Sequence, residues 1–425
     1  MTTTSRVIEH KHIAEISSTR KIVIGVVEIL IGLLIYLAFA AKTTGEALTK
    51  FVMTPGGIDQ GLMADWILPS RITLLILAAA AFVIGAYQLI RGFGKWTNLM
   101  IGLCALFLTF GFLVWQAADK QLNLAGMLSS AVLLAVPITL GAFSGILAER
   151  SGIVNISIEG MMLMASMAAA IVGSVTKNAW LGLLGGILSS IVLALILGVL
   201  SIKYKINQVI SGTVINIFSA GMTAFISQKF LQHIEGLNNP KMFTRVPLPV
   251  LADIPLIGPI LFNQNLFVYL MFLILIILQV ALFQTRWGLR FRSVGEHPKA
   301  ADTLGINVIK TRYMGVILSG LVAGIAGAFF TLGSVGRFDE GMTAGKGFIG
   351  LAAMIFGNWM PVGAIGAGAL FGFADAIGSK LSLLGSTIPP QFMAMAPYLI
   401  TMVVLAGFIG KGQAPAAEGE PYEKE

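Results

Sequence analysis

The chain has little charge. Only 11% of its 425 residues are Asp, Glu, Lys or Arg, where a soluble domain of average make-up carries about 25%, and its mean hydropathy is +0.87. That shortage excludes an ordinary water-soluble globule. One cysteine, Cys104, lies in an apolar run, which excludes a disulfide framework and a thiolate metal cluster. The four histidines, His10, His12, His233 and His297, are scattered and lack metal-ligand spacing on a helix; the close pair His10/His12 reads as part of a solvated tail. No G-x-x-x-x-G-K-[ST] phosphate loop occurs. Gly92-Phe93-Gly94-Lys95 and Gly345-Lys346-Gly347 are fragments with the wrong spacing, so the chain does not hydrolyse ATP by that device. There is no paired catalytic histidine, no H-E-x-x-H and no G-x-S-x-G, which argues against an intramembrane enzyme. Outside the loops, the formal charge of +8 comes without a basic patch interleaved with aromatics. It reads as loop bias, not nucleic-acid binding.

What is abundant is apolar sequence in runs long enough to cross a bilayer. The runs are 22–41, 73–90, 98–115, 124–146, 161–175, 180–202, 208–230, 266–284, 313–334, a short 347–359, 362–380 and 391–409. The expected fold class is an all-α polytopic membrane protein with about twelve transmembrane segments. Ala38-Phe39-Ala40 resembles a cleavage site, but the long polar stretch before the first run holds Glu9 and Glu15, which favours an uncleaved helix. Residues 42–70 form a polar loop with a turn at Pro55-Gly56-Gly57. Residues 232–265, with Pro240, Pro247, Pro249, Pro255 and Pro259, read as an extended or re-entrant outer loop. The tail from Gly410, acidic at its end, reads as disordered. With the N-terminus inside, 17 of the 28 Lys and Arg fall in inner intervals, placing both termini in the cytoplasm. Gly182/Gly186, Gly320/Gly324 and Gly368/Gly372 predict close helix contacts.

Polar residues interrupt the apolar runs at a few places, and these are the candidates for a substrate path. Glu159 stands at the entrance of a run, preceded by Asn155 and Ser157 and bracketed by Gly152 and Gly160. Polar, glycine-flanked backbone at membrane depth is tolerated only inside protein or beside a cavity, and a helix starting there leaves N–H groups for polar substrate atoms. The alternative is a first-turn acid complementing the helix dipole. Asn207, Gln208, Ser211 and Asn216 form a second group, either lining a pore or making a buried polar helix contact. Asn358-Trp359 is an amide and an aromatic beside a break, or an interfacial Trp. Asp375 within its run should face the protein interior, and Glu28 meets the same rule more weakly.

The longest strongly basic polar interval is 285–312, with Arg286, Arg290, Arg292, Lys299, Lys310 and Arg312 between two apolar runs. Such a loop belongs in the cytoplasm. Within it, Pro298 at a first helical position and Gly305 as a stop predict a short helix. Ala300, Ala301 and Leu304 would give it a small apolar face suited to a groove on a soluble partner. The plainer alternative is a loop that only fixes topology.

GLRFRSVGEHPKAADTLGINV, residues 288–308, resembles the coupling loop of ABC importer permeases of the nucleoside and simple-sugar uptake family, within the branched-chain amino acid/ribose-type permease superfamily. The matching positions are Gly295, Glu296, Pro298, Ala300, Ala301, Gly305 and Ile306. LGAFSGILAERSGIVNISIEGMMLMASMA (140–168), NQVISG (207–212) and GMTAGKGFIGLAAMIFGNWMPVGA (341–364) resemble three further segments of that family. The likeness spans 124–410. It implies two repeated halves with broken or re-entrant helices around a central path, and a contact between 295–306 and a separate ATPase subunit. It also implies a second permease, identical or paralogous, and an extracellular substrate-binding lipoprotein. The chain itself would be neither an enzyme nor a cofactor protein, ATP being bound by the partner. The expected organisation is an N-terminal extension with about three helices (1–121), a permease core (122–410) and a disordered cytoplasmic tail (411–425), in the plasma membrane. The function so implied is import of nucleosides or simple sugars by alternating access. An ion-coupled secondary transporter is the alternative; it leaves the 296–306 pattern unexplained.

Overall fold

A computed structural model of the chain describes residues 18–55, 63–383, 392, 395 and 413–424. The chain is mostly helical and divides into two units, Met1–Leu124 and Ala125–Glu425.

In the first unit α1 (Ser18–Leu34) runs on through a π-helical turn at Ile35–Phe39. Gly25 of α1 meets Gly85 of α2 (Ser70–Ile90), so closely that a Cβ on Gly85 would lie 2.9 Å from the Ile29 nitrogen. The third helix, α3 (Thr97–Gln116), follows. The connections carry a small sheet, a departure from an all-helical chain. In it β1 (Leu48–Val52) pairs antiparallel with β2 (Trp66–Pro69) and parallel with β3 (Gln121–Asn123). Alternation in β1 sends Thr49 and Phe51 inward, and Lys50 pairs with Asp65 at 3.0 Å, holding that carboxyl below its usual range.

Glu28 is fully buried among these helices, and neither carboxylate oxygen has a hydrogen-bond partner among the described residues. An unpaired acid in an apolar setting is costly. Glu28→Leu is therefore expected to stabilise the protein by about 2 kcal/mol, read as a higher midpoint of thermal unfolding in detergent. A lower midpoint would mean that the carboxyl has a partner in the membrane.

The second unit contains α4 (Leu124–Glu149), α5 (Ile158–Thr176), α6 (Ala179–Gly198), α7 (Gln208–Ile226), α8 (Leu266–Gln284), α9 (Arg286–Glu296), α10 (Pro298–Thr303), α11 (Val308–Ala328), α12 (Lys346–Phe356) and α13 (Pro361–Leu383). A two-stranded ribbon, β4 (Arg245–Pro247) with β5 (Asn263–Asn265), lies in the proline-rich 232–265 stretch. The most apolar windows of α4, α5 and α11 are 83%, 67% and 78% buried, against 28% to 39% for α6, α7, α8 and α13. The first three are thus the enclosed helices, and the others turn apolar faces outward, where lipid replaces protein.

The glycine pairs sit at the closest crossings. Cβ atoms on Gly182 and Gly186 would lie 2.9 and 3.0 Å from the Ala169 and Ala165 carbonyls of α5. Gly320 and Gly324 lie against Ile191 and Ile187 of α6, and Gly368 and Gly372 against Thr139 and Ala135 of α4. Backbones this close allow interhelical bonds such as Ser166 Oγ to the Gly327 carbonyl at 2.8 Å and Ser190 Oγ to the Gly320 carbonyl at 2.7 Å.

Ten helices among the described residues are long and apolar enough to cross a membrane, and this is a multi-pass membrane protein. They correspond to the first nine expected runs and to 362–380. The short tenth run is the eleven-residue α12. The expected span 391–409 lies outside the described residues apart from two isolated positions.

Two further expectations are corrected. Helix α9 lies where only loop was expected ahead of the short α10; Trp287, Phe291 and Val294 recur on one of its faces and Thr285 caps it, accepting from the Gly288 nitrogen at 3.1 Å. Residues 413–424 of the tail expected to be disordered are packed, with Ala417 N donating to the Gly295 carbonyl at 2.9 Å and Gly419 N to the Gly152 carbonyl at 3.2 Å. Composition misled there because these contacts are made by backbone groups, to which side-chain polarity is no guide.

Candidate substrate path and coupling face

The break between α4 and α5 is the centre of the polar network. Asn155 is fully buried; its Oδ1 accepts from the Ser157 nitrogen (3.1 Å) and Oγ (2.7 Å), and its Nδ2 donates to Ser319 Oγ of α11 at 2.8 Å. Asn216 of α7 accepts from the Gly160 nitrogen at 2.8 Å and donates to the Ile156 carbonyl at 2.9 Å. Gln208 accepts from the Val154 nitrogen at 2.6 Å. The N–H groups expected to be open to substrate at the start of α5 are therefore partly met by α7.

Glu159 sits in the first turn of α5, but it serves another helix. Its carboxylate accepts from Thr343 Oγ1 (2.6 Å), the Gly345 nitrogen (2.8 Å) and the Gly347 nitrogen (2.7 Å), and so holds the N-terminus of α12, where a negative charge is favourable. Gly347 permits the approach; a Cβ there would lie 2.7 Å from the Glu159 backbone. Asp375 of α13 takes the ion pair of Lys346 beside it.

The structure thus brings Asn155, Ser157, Glu159, Gln208 and Asn216 together around one break, with Asp375 joined through α12. Ser211 is buried on the same face of α7 as Gln208 and Ser219. Asn207 is not in this group. It is exposed and caps α7, accepting from the Val209 and Ile210 nitrogens at 3.0 and 3.2 Å.

Asn358 and Trp359 form the α12–α13 turn, both with left-handed backbone (φ 55° and 52°). That conformation costs a bulky residue of order 1 kcal/mol or more and persists where neighbours enforce it. Here Trp359 Nε1 donates to Glu149 Oε2 at 2.5 Å, and the Trp359 carbonyl accepts from Arg150 Nε at 3.1 Å. Arg150 also pairs with Glu296 at 3.6 Å. One arginine thereby joins the α12–α13 turn to the end of α9. Burial lowers its pKa while Glu296 raises it, and a guanidinium stays charged under such shifts. Arg150, Glu149, Thr343 and Lys346 were not singled out from the sequence; the visible signal was an acid–base pair directly after an apolar run.

On the candidate coupling face, Gly295 is buried, and a side chain there would collide with the Arg150 carbonyl. His297 caps α10, its Nδ1 accepting from the Ala300 nitrogen at 3.1 Å, Pro298 starts the helix and Gly305 ends it with φ 80°. The expected apolar face is split. Ala301 turns inward onto Val294 and Val308, with Ile306 beside it, whereas Ala300 is exposed and Leu304 is 81% exposed. Leu304, which caps the C-terminal end of α10, is the large apolar side chain presented outward there.

A family model described as the permease component of the branched-chain amino acid transport system matches residues 127–408. The chain belongs to that permease family. This permease is 39% identical to the guanosine ABC transporter permease protein NupQ of Bacillus subtilis over 302 residues, which covers 68% of this chain and 94% of the relative. It is 38% identical to the nucleoside ABC transporter permease protein NupC of Lactococcus lactis over 317 residues, 72% of this chain and 97% of the relative. No solved structure matches the permease.

Proposed function

We propose that this chain is the transmembrane permease subunit of an ATP-driven ABC importer that carries nucleosides into the cell. The single observation that carries the coupling part is α10, a capped helix with Leu304 exposed at its tip and its base tied through Glu296 and Arg150 to the α12–α13 turn. The relatives' names support the cargo.

In this reading the ATPase is a separate subunit that seats on α10. This chain holds no cofactor and is not an enzyme, and ATP binds to the partner. The importer comprises two permeases, identical or paralogous, and an extracellular lipoprotein that delivers substrate. The chain lies in the plasma membrane with twelve segments and both termini in the cytoplasm. Two repeated halves are supported by a recurring pattern: the enclosed helices α4 and α11 each lead through a glycine-containing polar break into a further helix, α5 and α12. The path runs beside the α4–α5 break, with Asn155, Ser157, Glu159, Gln208, Ser211, Asn216, Asn358, Trp359 and Asp375 as its polar lining and support. Nucleotide-driven closure of the ATPases moves α10, and the permeases open alternately to either side.

Leu304→Asp tests this. An exposed side chain is changed, so the fold should persist, while a desolvated apolar anchor is lost from the interface. Affinity purification of the tagged subunit is expected to recover at least tenfold less ATPase, with unchanged yield of the chain itself. A subunit that purifies alone and moves guanosine on a proton or sodium gradient would overturn the reading in favour of a secondary transporter.

A further inference from the structure

The segment 413–424 binds five stretches that are far apart in sequence. Gln413 N donates to Asn358 Oδ1 at 2.8 Å, and Ala416 N to Glu296 Oε2 at 3.2 Å. Ala417 N and Gly419 N reach the Gly295 and Gly152 carbonyls. The Glu418 carboxyl lies beside that of Glu149, and Glu423 pairs with Lys205. The Glu420 carbonyl accepts from Arg312 Nη1 at 2.8 Å.

Two of these features go beyond surface adhesion. Arg312 is 1% exposed, and its Nε and Nη2 have no partner among the described residues. A buried guanidinium short of partners is costly, so the tail carbonyl is a contact the membrane helices do not replace. The ring of Tyr422 packs on the small core of Val294, Ala301 and Val308 beneath α10. That core has only three buried members, and α10 is six residues long. A helix so short has no independent stability; what lies under it sets where it stands.

We infer that the C-terminal segment positions the coupling helix: Tyr422 closes the core beneath α10, and the segment's backbone straps the adjoining end of α9 to the α4–α5 break and the α12–α13 turn. The inference rests on the reading of α10 as the ATPase contact. Tyr422 is a positioning residue, acting through α10 and not on substrate. The strap gives movement of α10 a second route into the membrane helices, beside the Arg150 link. A merely space-filling tail would seal Arg312 and leave coupling untouched.

The test has two arms on the full chain. The first is amide hydrogen exchange of the purified subunit in detergent. Tyr422→Ala is expected to speed exchange over 298–308 at least tenfold, with α5 and α11 unchanged, and Tyr422→Phe is expected to restore protection. The second uses proteoliposomes with the ATPase and guanosine as probe. There Tyr422→Ala is expected to keep ATP hydrolysis while guanosine moved per ATP falls at least fivefold, and Tyr422→Phe restores the ratio. Wild-type exchange over 298–308 together with a wild-type ratio in Tyr422→Ala overturns the inference. If Tyr422→Ala does not accumulate, Ala417→Pro removes the donor to the Gly295 carbonyl while keeping the ring; unchanged protection of 298–308 in that variant overturns it equally. A wild-type subunit that never engages the ATPase would sink the importer reading instead, and the exchange arm would still judge the strap.

Discussion

Glu159→Ala is expected to reduce uptake by about two orders of magnitude. The carboxylate accepts three hydrogen bonds that fix the start of α12. Bonds to a charged group contribute about 1.5–3 kcal/mol each. Removing the acceptor leaves the Gly345 and Gly347 nitrogens without it, for a combined cost of about 3–5 kcal/mol. Helix α12 would lose its register on α5, and with it the Lys346–Asp375 pair. Glu159→Gln should be milder, about 1–2 kcal/mol: its carbonyl still accepts, but its amide confronts one of the glycine nitrogens. Uptake of labelled guanosine at matched expression, with thermal unfolding in parallel, checks both. A helix clamp predicts lower thermal stability together with lost uptake, and a similar, smaller effect of Thr343→Ala. A raised KM with unchanged stability would instead make Glu159 a direct substrate contact. Wild-type uptake in Glu159→Ala would sink either role.

Arg150→Ala should be nearly as damaging. The side chain is 11% exposed and meets the Trp359 carbonyl and Glu296 with different nitrogens. Its loss leaves a left-handed turn at Asn358-Trp359 without one of the contacts that enforce it, and unties the end of α9. Breaking a largely buried charge contact costs about 3 kcal/mol, so a fall in uptake of fiftyfold or more is expected, with the ATPase still bound through α10. Arg150→Lys should not rescue, because a single ammonium cannot meet both acceptors in the guanidinium geometry. Near-normal uptake in Arg150→Lys would show that only the charge matters. ATPase lost from Arg150→Ala at full yield of the chain would place Arg150 in the docking surface itself.

The helices were legible because lipid imposes a simple demand. Each crossing needs about 20 apolar residues, and runs such as 266–284 leave little ambiguity; α8 has the bounds read from sequence. Helix α10 was legible for a local reason, since Pro298 and Gly305 punctuate it on either side. Helix α9 was missed because charge masked its period: Arg286, Arg290 and Arg292 read as loop residues while Phe291 and Val294, with Gly288 and Gly295, formed the packed face. The packed tail was missed for the opposite reason. Its acids and its Pro, Ala and Gly have the composition of a disordered segment, yet backbone N–H groups and one buried arginine hold it.

The sequence by itself determined that this is a multi-pass helical membrane protein, which family it belongs to, and where its polar breaks and its long basic loop lie. The fold class and the breaks follow from hydropathy and local punctuation, and the family from the resemblance of whole segments to known permeases; all of these are read from neighbouring residues. Only the tertiary structure decided which groups each polar residue meets. Glu159 reads as a path residue or a first-turn acid from its place in the chain, and only the fold shows that it also holds a helix that starts almost 190 residues later. Ala301 and Leu304 looked like one face, and they separate because Ala301 packs inward on Val294 and Val308. Arg150 acquires its role from Glu296 and Trp359, neither of them near it in sequence. A hydrogen bond or ion pair depends on which groups the fold brings within about 3 Å, and linear order does not carry that distance.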